Sequence, residues 1–383
     1  MNKIPGRMVH CVNDKFGILI VLLLTVSSTV CAGTHKDVSG QDGKSSAAEF
    51  LYSANQAAHD LTVYKINRQT GALEPVKGSP YSPGKYPVSV KVSPKGHYVY
   101  VANQGSGTIA AYRVNGDTGV LSPVAGSPFA VGKYPDSVAV SPDGRFAYVS
   151  NEDDNQVQVF RINQKTGALI KTGMHVKTGD HPISVNFSHN GRFAYVSNFY
   201  GNSVNVYVVN KKTGDLVQSG TSVPTDDNPI YIAVSQDNKY LYTANYGSTT
   251  VSAFSINAKT GQLTEVKGSP YIAGGKPYSV IVDPRNHDVY VANWLSDDVS
   301  AFARDTATGQ LKELKGSPYS AEQFPYAVVV DPSDRYAYVA NNGSGTISGY
   351  SIDKRSGKLH ELNGSPFACS AGPYSMIISH YRN

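Results

Sequence analysis

From Phe50 onward, apolar residues fall at every second position in short runs, and each run ends in a cluster of Gly, Pro, Asn or Asp. Residues 135–181 show the pattern once through. Ser137-Val-Ala-Val-Ser141 alternates as a strand, Pro142-Asp-Gly144 turns the chain, and Phe146-Ala-Tyr-Val-Ser150 returns. Gln156-Val-Gln-Val-Phe160 is a third strand, and the Lys165-Thr-Gly167 turn leads to a fourth around Leu169. A period of two in Val, Ile, Tyr and Phe predicts sheets covered on both faces. The Pro-Asp-Gly and Thr-Gly pairs supply the glycine that a tight hairpin needs at positive φ. Outside the apolar N-terminal stretch, no segment carries the 3.6-residue period of a helix.

The pattern repeats. A Tyr-Val-Ala/Ser-Asn string, with small variations, ends at Asn55, Asn103, Asn151, Asn198, Asn245, Asn293 and Asn341, with gaps of 48, 48, 47, 47, 48 and 48 residues. A second marker, the proline that opens the next strand, stands at Pro87, Pro135, Pro182, Pro229, Pro277, Pro325 and Pro373. Four strands per unit, repeated radially, form a propeller blade, and two independent markers count seven of them. The fold expected is therefore all-β: a seven-bladed β-propeller over residues 49–383, with four antiparallel strands per blade. Its closure is legible too. Phe50–Asn55 begins a set that lacks a first strand, whereas Pro373–Ser379 is a first strand with nothing after it. The last blade should join three N-terminal strands to a C-terminal innermost strand, which removes two open sheet edges.

Residues shared by every blade are best explained by architecture. The seven Asn side chains are expected to bond local backbone where the chain turns. The Gly-Ser-Pro marks that begin at Gly78, Gly126, Gly268, Gly316 and Gly364 carry Tyr or Phe three residues on, expected to end the outer strand and pack an aromatic between blades. Many tyrosines should serve the same packing with one wet edge.

Composition changes the picture at the N-terminus. Lys3, Arg7 and Lys15 precede the apolar core Phe16–Val26, and Val30-Cys31-Ala32 offers small residues for cleavage before Gly33. Residues 1–32 thus read as a secretory signal peptide, too short in its apolar core to span a bilayer. Residues 33–48, polar and rich in Gly and Ser, read as a flexible linker. The expected location is periplasmic or extracellular, with lipid anchoring at Cys31 as the lesser alternative. Cys11 and Cys31 leave with the signal, so Cys369 stands alone and no internal disulfide forms. A formal charge of +5 without a Lys/Arg block argues against nucleic acid. A monomer without a membrane span is expected.

Function is sought where the repeat breaks. The residues ahead of each strand-opening proline vary: Lys85-Tyr86, Lys133-Tyr134, Asp180-His181, Asp227-Asn228, Gly275-Lys276, Gln323-Phe324, Ala371-Gly372. With Asp136, Tyr231, Tyr278 and Tyr326 just beyond the prolines, they should ring one mouth of the central channel. The loop after each Asn should lie on the same face, bringing Glu152-Asp153-Asp154, Phe199-Tyr200, Tyr246 and Trp294, the single tryptophan, to that rim. Convergent aromatics, lysines and carboxylates suggest a surface for a small molecule or a protein. His181 beside Asp180 is the general-base candidate. The Glu152–Asp154 run has oxygens for a hard cation, but adjacent loop residues point apart, so no metal is expected. No cofactor motif is present either.

The unit Pro135 to Asn151 (PDSVAVSPDGRFAYVSN) resembles the lactonase-type seven-bladed propellers, a family that includes 6-phosphogluconolactonase, muconate-lactonizing relatives and surface-layer YVTN-repeat proteins. The resemblance covers residues 50–383. It implies the propeller fold and a lactone-hydrolysing site around the channel. The family's enzymes carry a Gly-Pro-Arg-His type motif where a blade opens; here the corresponding strings are Gly132-Lys-Tyr-Pro135 and Gly179-Asp-His-Pro182, without Arg. Two expectations follow. One is an exported binding module at the cell envelope that works through the channel rim. The other is a hydrolase of a small cyclic ester, in which His181 activates water and Lys85, Lys133 or Lys276 steadies an anionic substrate.

Overall fold

The computed structural model describes residues 48–380. The segments expected to be a signal peptide and a linker, up to residue 47 and including Cys31, lie outside them. Among the described residues no helix is long and apolar enough to cross a membrane.

Seven antiparallel sheets make the blades. In blade 1 the strands are Pro87–Val92, innermost, then Tyr98–Asn103, Thr108–Val114 and Leu121–Pro123. Blades 2 to 6 begin at Pro135, Pro182, Pro229, Pro277 and Pro325. Blade 7 pairs Glu49–Asn55 with Pro373–His380, Leu51 facing Ile378 and Ser53 facing Met376, as the closure reading required. Five blades extend the four-strand plan with a fifth, two-residue strand that pairs with the third strand beyond the end of the fourth. In four of them the serine of the Gly-Ser-Pro mark bonds the third strand where this extension begins, and in blade 7 Ser79 Oγ accepts the Val63 amide in the same way beside a single Leu61–Tyr81 bridge. Ser127 Oγ accepts the Ala111 amide at 2.8 Å and Ser269 Oγ the Ala253 amide at 3.0 Å. Blade 2 lacks the mark, and its outer strand instead runs unbroken from Leu169 to Lys177.

The core lies in the seams between blades. In each second strand the residue three before the closing Asn, Tyr52, Tyr100, Tyr148, Tyr195, Tyr242, Tyr290 or Tyr338, is fully buried. Six of these hydroxyls donate to a glycine carbonyl in the next blade, such as Tyr148 to Gly214 at 2.8 Å and Tyr290 to Gly357 at 2.7 Å. These tyrosines therefore have no wet edge; a buried hydroxyl is tolerated because a turn carbonyl is aimed at it. The residue five before the same Asn is aromatic in six blades, and its ring lies beneath a turn glycine of the next blade, as Phe146 does beneath Gly214.

The seven asparagines are all buried, but their partners differ from the expectation. Most donate to side chains on the facing strand: Asn245 to Thr250 and Ser252, Asn293 to Asp298 and Ser300, Asn341 to Thr346 and Ser348. Backbone bonding is the minority case, as in Asn103 to the Pro83 carbonyl. Antiparallel pairing places side-chain oxygens five and seven residues on within reach, and at Asn198 backbone shares the side-chain amide, through the Gly179 amide and the Ser203 carbonyl.

Candidate functional site

The channel mouth is assembled by one repeated device. The residue before each strand-opening proline sits at positive φ: Tyr86 (51°), Tyr134 (48°), His181 (55°), Asn228 (52°), Lys276 (53°), Phe324 (56°) and Gly372 (71°). Six of these are not glycine, a conformation that costs of order 1 kcal/mol each unless the surroundings fix it. Here they do. The carbonyl of each accepts the amide that follows the buried Asn: Glu152 to Tyr134, Phe199 to His181, Trp294 to Lys276. In several blades the amide of the same residue donates sideways to the preceding blade's loop, as His181 does to Asn155 Oδ1 at 2.8 Å and Phe324 to Asp297 Oδ1 at 2.8 Å. Strand-opening residues and second-to-third-strand loops therefore share one lip.

This pins several candidates to architecture. Asp154 accepts the Lys133 amide at 2.9 Å, and His59 Nδ1 accepts the Tyr86 amide at 3.1 Å with the two rings edge to face. Asn228 donates to the Phe199 carbonyl at 3.0 Å, and Asp227 accepts from Asn202 at 3.3 Å. Lys85 and Lys133 are exposed at the lip.

Below the lip the channel is closed by an aromatic plug. Val88, Phe199, Ile230, Tyr246, Tyr278, Tyr326 and Tyr374 pack together, with Tyr278 and Tyr326 ring centroids 4.3 Å apart and Tyr326 and Tyr374 4.7 Å apart. The Tyr278 and Tyr374 hydroxyls are hydrogen-bonded. Phe199, Tyr246, Tyr278 and Tyr326 are thus buried in the plug rather than displayed on the lip. Tyr278 and Tyr326, just beyond the prolines, converge on the ring axis, and Phe199 and Tyr246, which follow the buried Asn residues, pack with them. Tyr231 lies half-buried beside them.

One sector of the mouth differs. At the position of Val88 and Tyr278, blade 2 has Asp136, which is 8% exposed. Its Oδ1 accepts from Gln104 Nε2 at 2.8 Å, and its Oδ2 makes no hydrogen bond. Burial, and next the charge of Glu152, push the Asp136 carboxyl well above the usual carboxylate range. Gln104 Nε2 also lies 3.5 Å from Glu152 Oε2. Glu152 Oε1 in turn is 3.7 Å from His181 Nε2, while His181 Nδ1 meets Asp180 Oδ1 at 2.9 Å. The imidazole stands edge to face on Tyr200, centroids 4.3 Å apart. A row Asp180–His181–Glu152–Gln104–Asp136 therefore runs from the open lip down into the channel. In the tautomer whose Nδ1–H donates to Asp180, Nε2 is the ring nitrogen that faces Glu152. Tyr134 and Tyr200, 44% and 43% exposed, are lip aromatics of blades 2 and 3.

The opposite sector is cationic and aromatic. Lys276 Nζ sits 4.6 Å from the Tyr246 ring centroid and 5.3 Å from that of Trp294, which stacks on Phe324 at 5.0 Å. Every described arginine lies on the other face, in the turns joining strands one to two and three to four or at the third-strand ends leading to them. Among the described residues no group of three or more His, Cys, Asp or Glu side chains is placed to hold a metal ion.

Reading the sequence picked out His181, Asp180 and Asp136 but treated Glu152 only as part of an acidic run, and missed Gln104 and Tyr374. Tyr374 could have been found by aligning the residue after each marker proline. Glu152 and Gln104 are the first residues after Asn151 and Asn103, so the same alignment would have placed them side by side on neighbouring blades.

The sequence matches the family described as lactonase, 7-bladed beta-propeller, in four segments, residues 42–135, 126–231, 226–322 and 279–372. No curated protein matches it. Among solved structures, a putative 6-phosphogluconolactonase from Bacteroides fragilis superposes with a TM-score of 0.78 at 18% identity, covering 89% of this chain and 100% of that one. Another from Bacteroides uniformis gives 0.77 at 19% identity, covering 87% and 99%. The periplasmic gluconolactonase of Pseudomonas aeruginosa gives 0.74 at 19% identity, covering 88% and 100%.

Proposed function

Because this chain belongs to the lactonase family of seven-bladed β-propellers, we propose that its channel mouth hydrolyses a small, uncharged cyclic ester such as a sugar lactone. The observation that carries the reading is His181, whose imidazole is held between Asp180 and Glu152 above the buried Asp136. In this reaction Nε2 of His181 takes a proton from water as its oxygen attacks the ring carbonyl. The acyl C–O bond then breaks, and the same imidazolium returns the proton to the departing alkoxide, leaving the hydroxy acid. Tyr134 and Tyr200 supply exposed rings and hydroxyls for a sugar, and the Lys133 ammonium is the nearest lip cation in sequence.

Charge argues for an uncharged substrate. Glu152, Asp153, Asp154 and Asp180 share this sector with Lys133, and no arginine among the described residues reaches the lip. A phosphorylated lactone would face net negative charge without the bidentate partner that phosphate favours. The Pseudomonas aeruginosa neighbour is named a periplasmic gluconolactonase, which fits this choice and fits export through residues 1–32.

The test is ring opening of an uncharged δ-lactone, corrected for spontaneous hydrolysis, by wild type and by His181→Ala. Loss of the base should lower kcat about 10²-fold or more. Equal turnover in the two proteins, or none above the blank, removes the reading. A second reading is an exported binding module at the cell envelope. It is favoured by the exposed Tyr86, Tyr134 and Tyr200 on one lip, since aromatics beside carboxylates suit a saccharide without any chemistry. Saturable binding of an intact sugar with no turnover would select it.

A further inference from the structure

Blade 5 breaks the seam rule on the face opposite the lip. Where six blades place an aromatic ring five residues before the Asn that closes the second strand, blade 5 has Asp288, and its carboxylate lies beneath Gly357 of blade 6. The preceding turn is altered as well. Ser93, Ser141, Ser188 and Ser235 in blades 1 to 4 become Asp283 in blade 5 and Asp331 in blade 6. The positive-φ turn residue, Gly or Asn in blades 1 to 5, is Asp334 in blade 6.

Three of these carboxylates meet around one guanidinium. Arg285 Nε contacts Asp334 Oδ2 and lies 3.7 Å from Asp283 Oδ2, while its Nη2 is 4.0 Å from Asp288 Oδ2. Its Nη1 is taken by the Lys354 carbonyl at 2.6 Å. The Asp283, Asp288 and Asp334 side chains are 0%, 9% and 1% exposed. Asp283 Oδ2 and both Asp334 oxygens make no hydrogen bond, Asp334 Oδ2 being held only by its ion contact with Arg285 Nε. Of the other polar groups around them, His287 draws the Asp288 carboxyl down, against the larger effect of burial. Asp331 receives the amides of Arg335 and Tyr336, Arg335 lies over the Tyr336 ring, Tyr290 donates to Gly357, and His287 flanks Asp288 in the chain. Three buried carboxylates therefore share one cation, and three of their oxygens lack a hydrogen-bond donor. A proton supplies both the missing charge and a missing donor.

We infer that the blade 5–blade 6 seam is a proton-operated latch, closed when Asp334 or Asp288 carries a proton and loosened when all three carboxylates are ionised around Arg285. Burial, followed by the charge of Asp283, places Asp288 at about 6 and Asp334 at about 7, so the latch works across near-neutral pH. The sign is the reverse of an ordinary salt bridge. Both carboxyls are raised above their unfolded value, so their stabilisation is fully present at acidic pH. It is lost as pH rises through about 6 to 7.

Asp334→Asn tests this with a residue that the same turn already uses at Asn238 and Asn286. Melting of the full chain is followed from about pH 5 to about pH 8 for wild type and variant. The two should melt together at the acidic end, and the variant should melt about 2–4 °C higher at the alkaline end. Hydrogen exchange, corrected for intrinsic rates, should show residues 283–291 and 331–338 opening more at the alkaline end in wild type only. Asp288→Phe, which restores the aromatic of the other blades, should flatten the profile in the same way and serves if Asp334→Asn fails to fold. Parallel pH profiles for wild type and both variants would overturn the latch. So would a rescue of the wild-type alkaline melt by millimolar calcium, since the cluster would then be a cation site.

Discussion

Tyr338 donates its hydroxyl to the carbonyl of Gly71, 2.7 Å away and 267 residues distant in the chain. The same bond joins Tyr290 to Gly357 and Tyr148 to Gly214 within the run of consecutive blades. At Tyr338 it crosses the join between blade 6 and the N-terminal strands of blade 7, so this join uses the contact found at five other seams.

Replacing Tyr338 with Phe leaves the packing and strands a buried carbonyl. The expected loss is about 1–2 kcal/mol, read as a lower urea midpoint with an unchanged slope.

Deleting residues 373–383 removes the innermost strand of blade 7 and uncovers the edge at Glu49–Asn55. Cooperative unfolding should disappear; a melt as sharp as that of the full chain would contradict this closure.

Gly214 has φ +86°, and a Cβ there would lie 2.5 Å from Cδ1 of Phe146, whereas Gly173, at φ +77°, has nothing within 4 Å of such a Cβ. Gly214→Ala should cost upward of about 2 kcal/mol, through strain plus a displaced core ring. Gly173→Ala should cost about 1 kcal/mol, through strain alone. Equal losses would mean that the seam yields more than its packing suggests.

Asp136→Asn keeps an oxygen for Gln104 and removes the buried charge beside Glu152. Because the wild-type carboxyl is raised in the folded state, its favourable contribution is present at acidic pH and lost as pH rises through its folded value. The variant should match wild type at low pH and exceed it by roughly 1 kcal/mol at alkaline pH, as seen in denaturant midpoints across the range.

Lys91 lines the channel at the position of Ala139, Asn186, Ala233, Ile281, Val329 and Ile377. Burial lowers its pKa. Lys91→Ile should raise stability by about 1 kcal/mol at neutral pH, because it exchanges a poorly solvated charge for apolar contact. A drop in the midpoint would show that the ammonium has a stabilising role in the channel.

The blade count, the strand order and the closure through Pro373 were legible in the chain because each rests on local signals. Alternation of period two sets which residues face the neighbouring blades. Glycine and proline set the turns, and a constant spacing sets the number of units. The family likeness drawn from Pro135 to Asn151 rests on those same signals, and the match across residues 42–372 agrees with it. The asparagine ring was located correctly but given the wrong partners, since hydroxyls on a facing strand are invisible until strands are paired.

What the sequence determined alone is thus the ring and its register, because those follow from periodicity within each unit. Only the tertiary structure decided what the irregular residues do. It buried Phe199, Tyr246, Tyr278 and Tyr326 in a plug, brought Glu152 to His181 and Asp136 to Gln104, and set Asp288 and Asp334 on one guanidinium. Those meetings join different blades or different loops. Their distances and charges depend on how the ring curves, and no spacing along the chain encodes that.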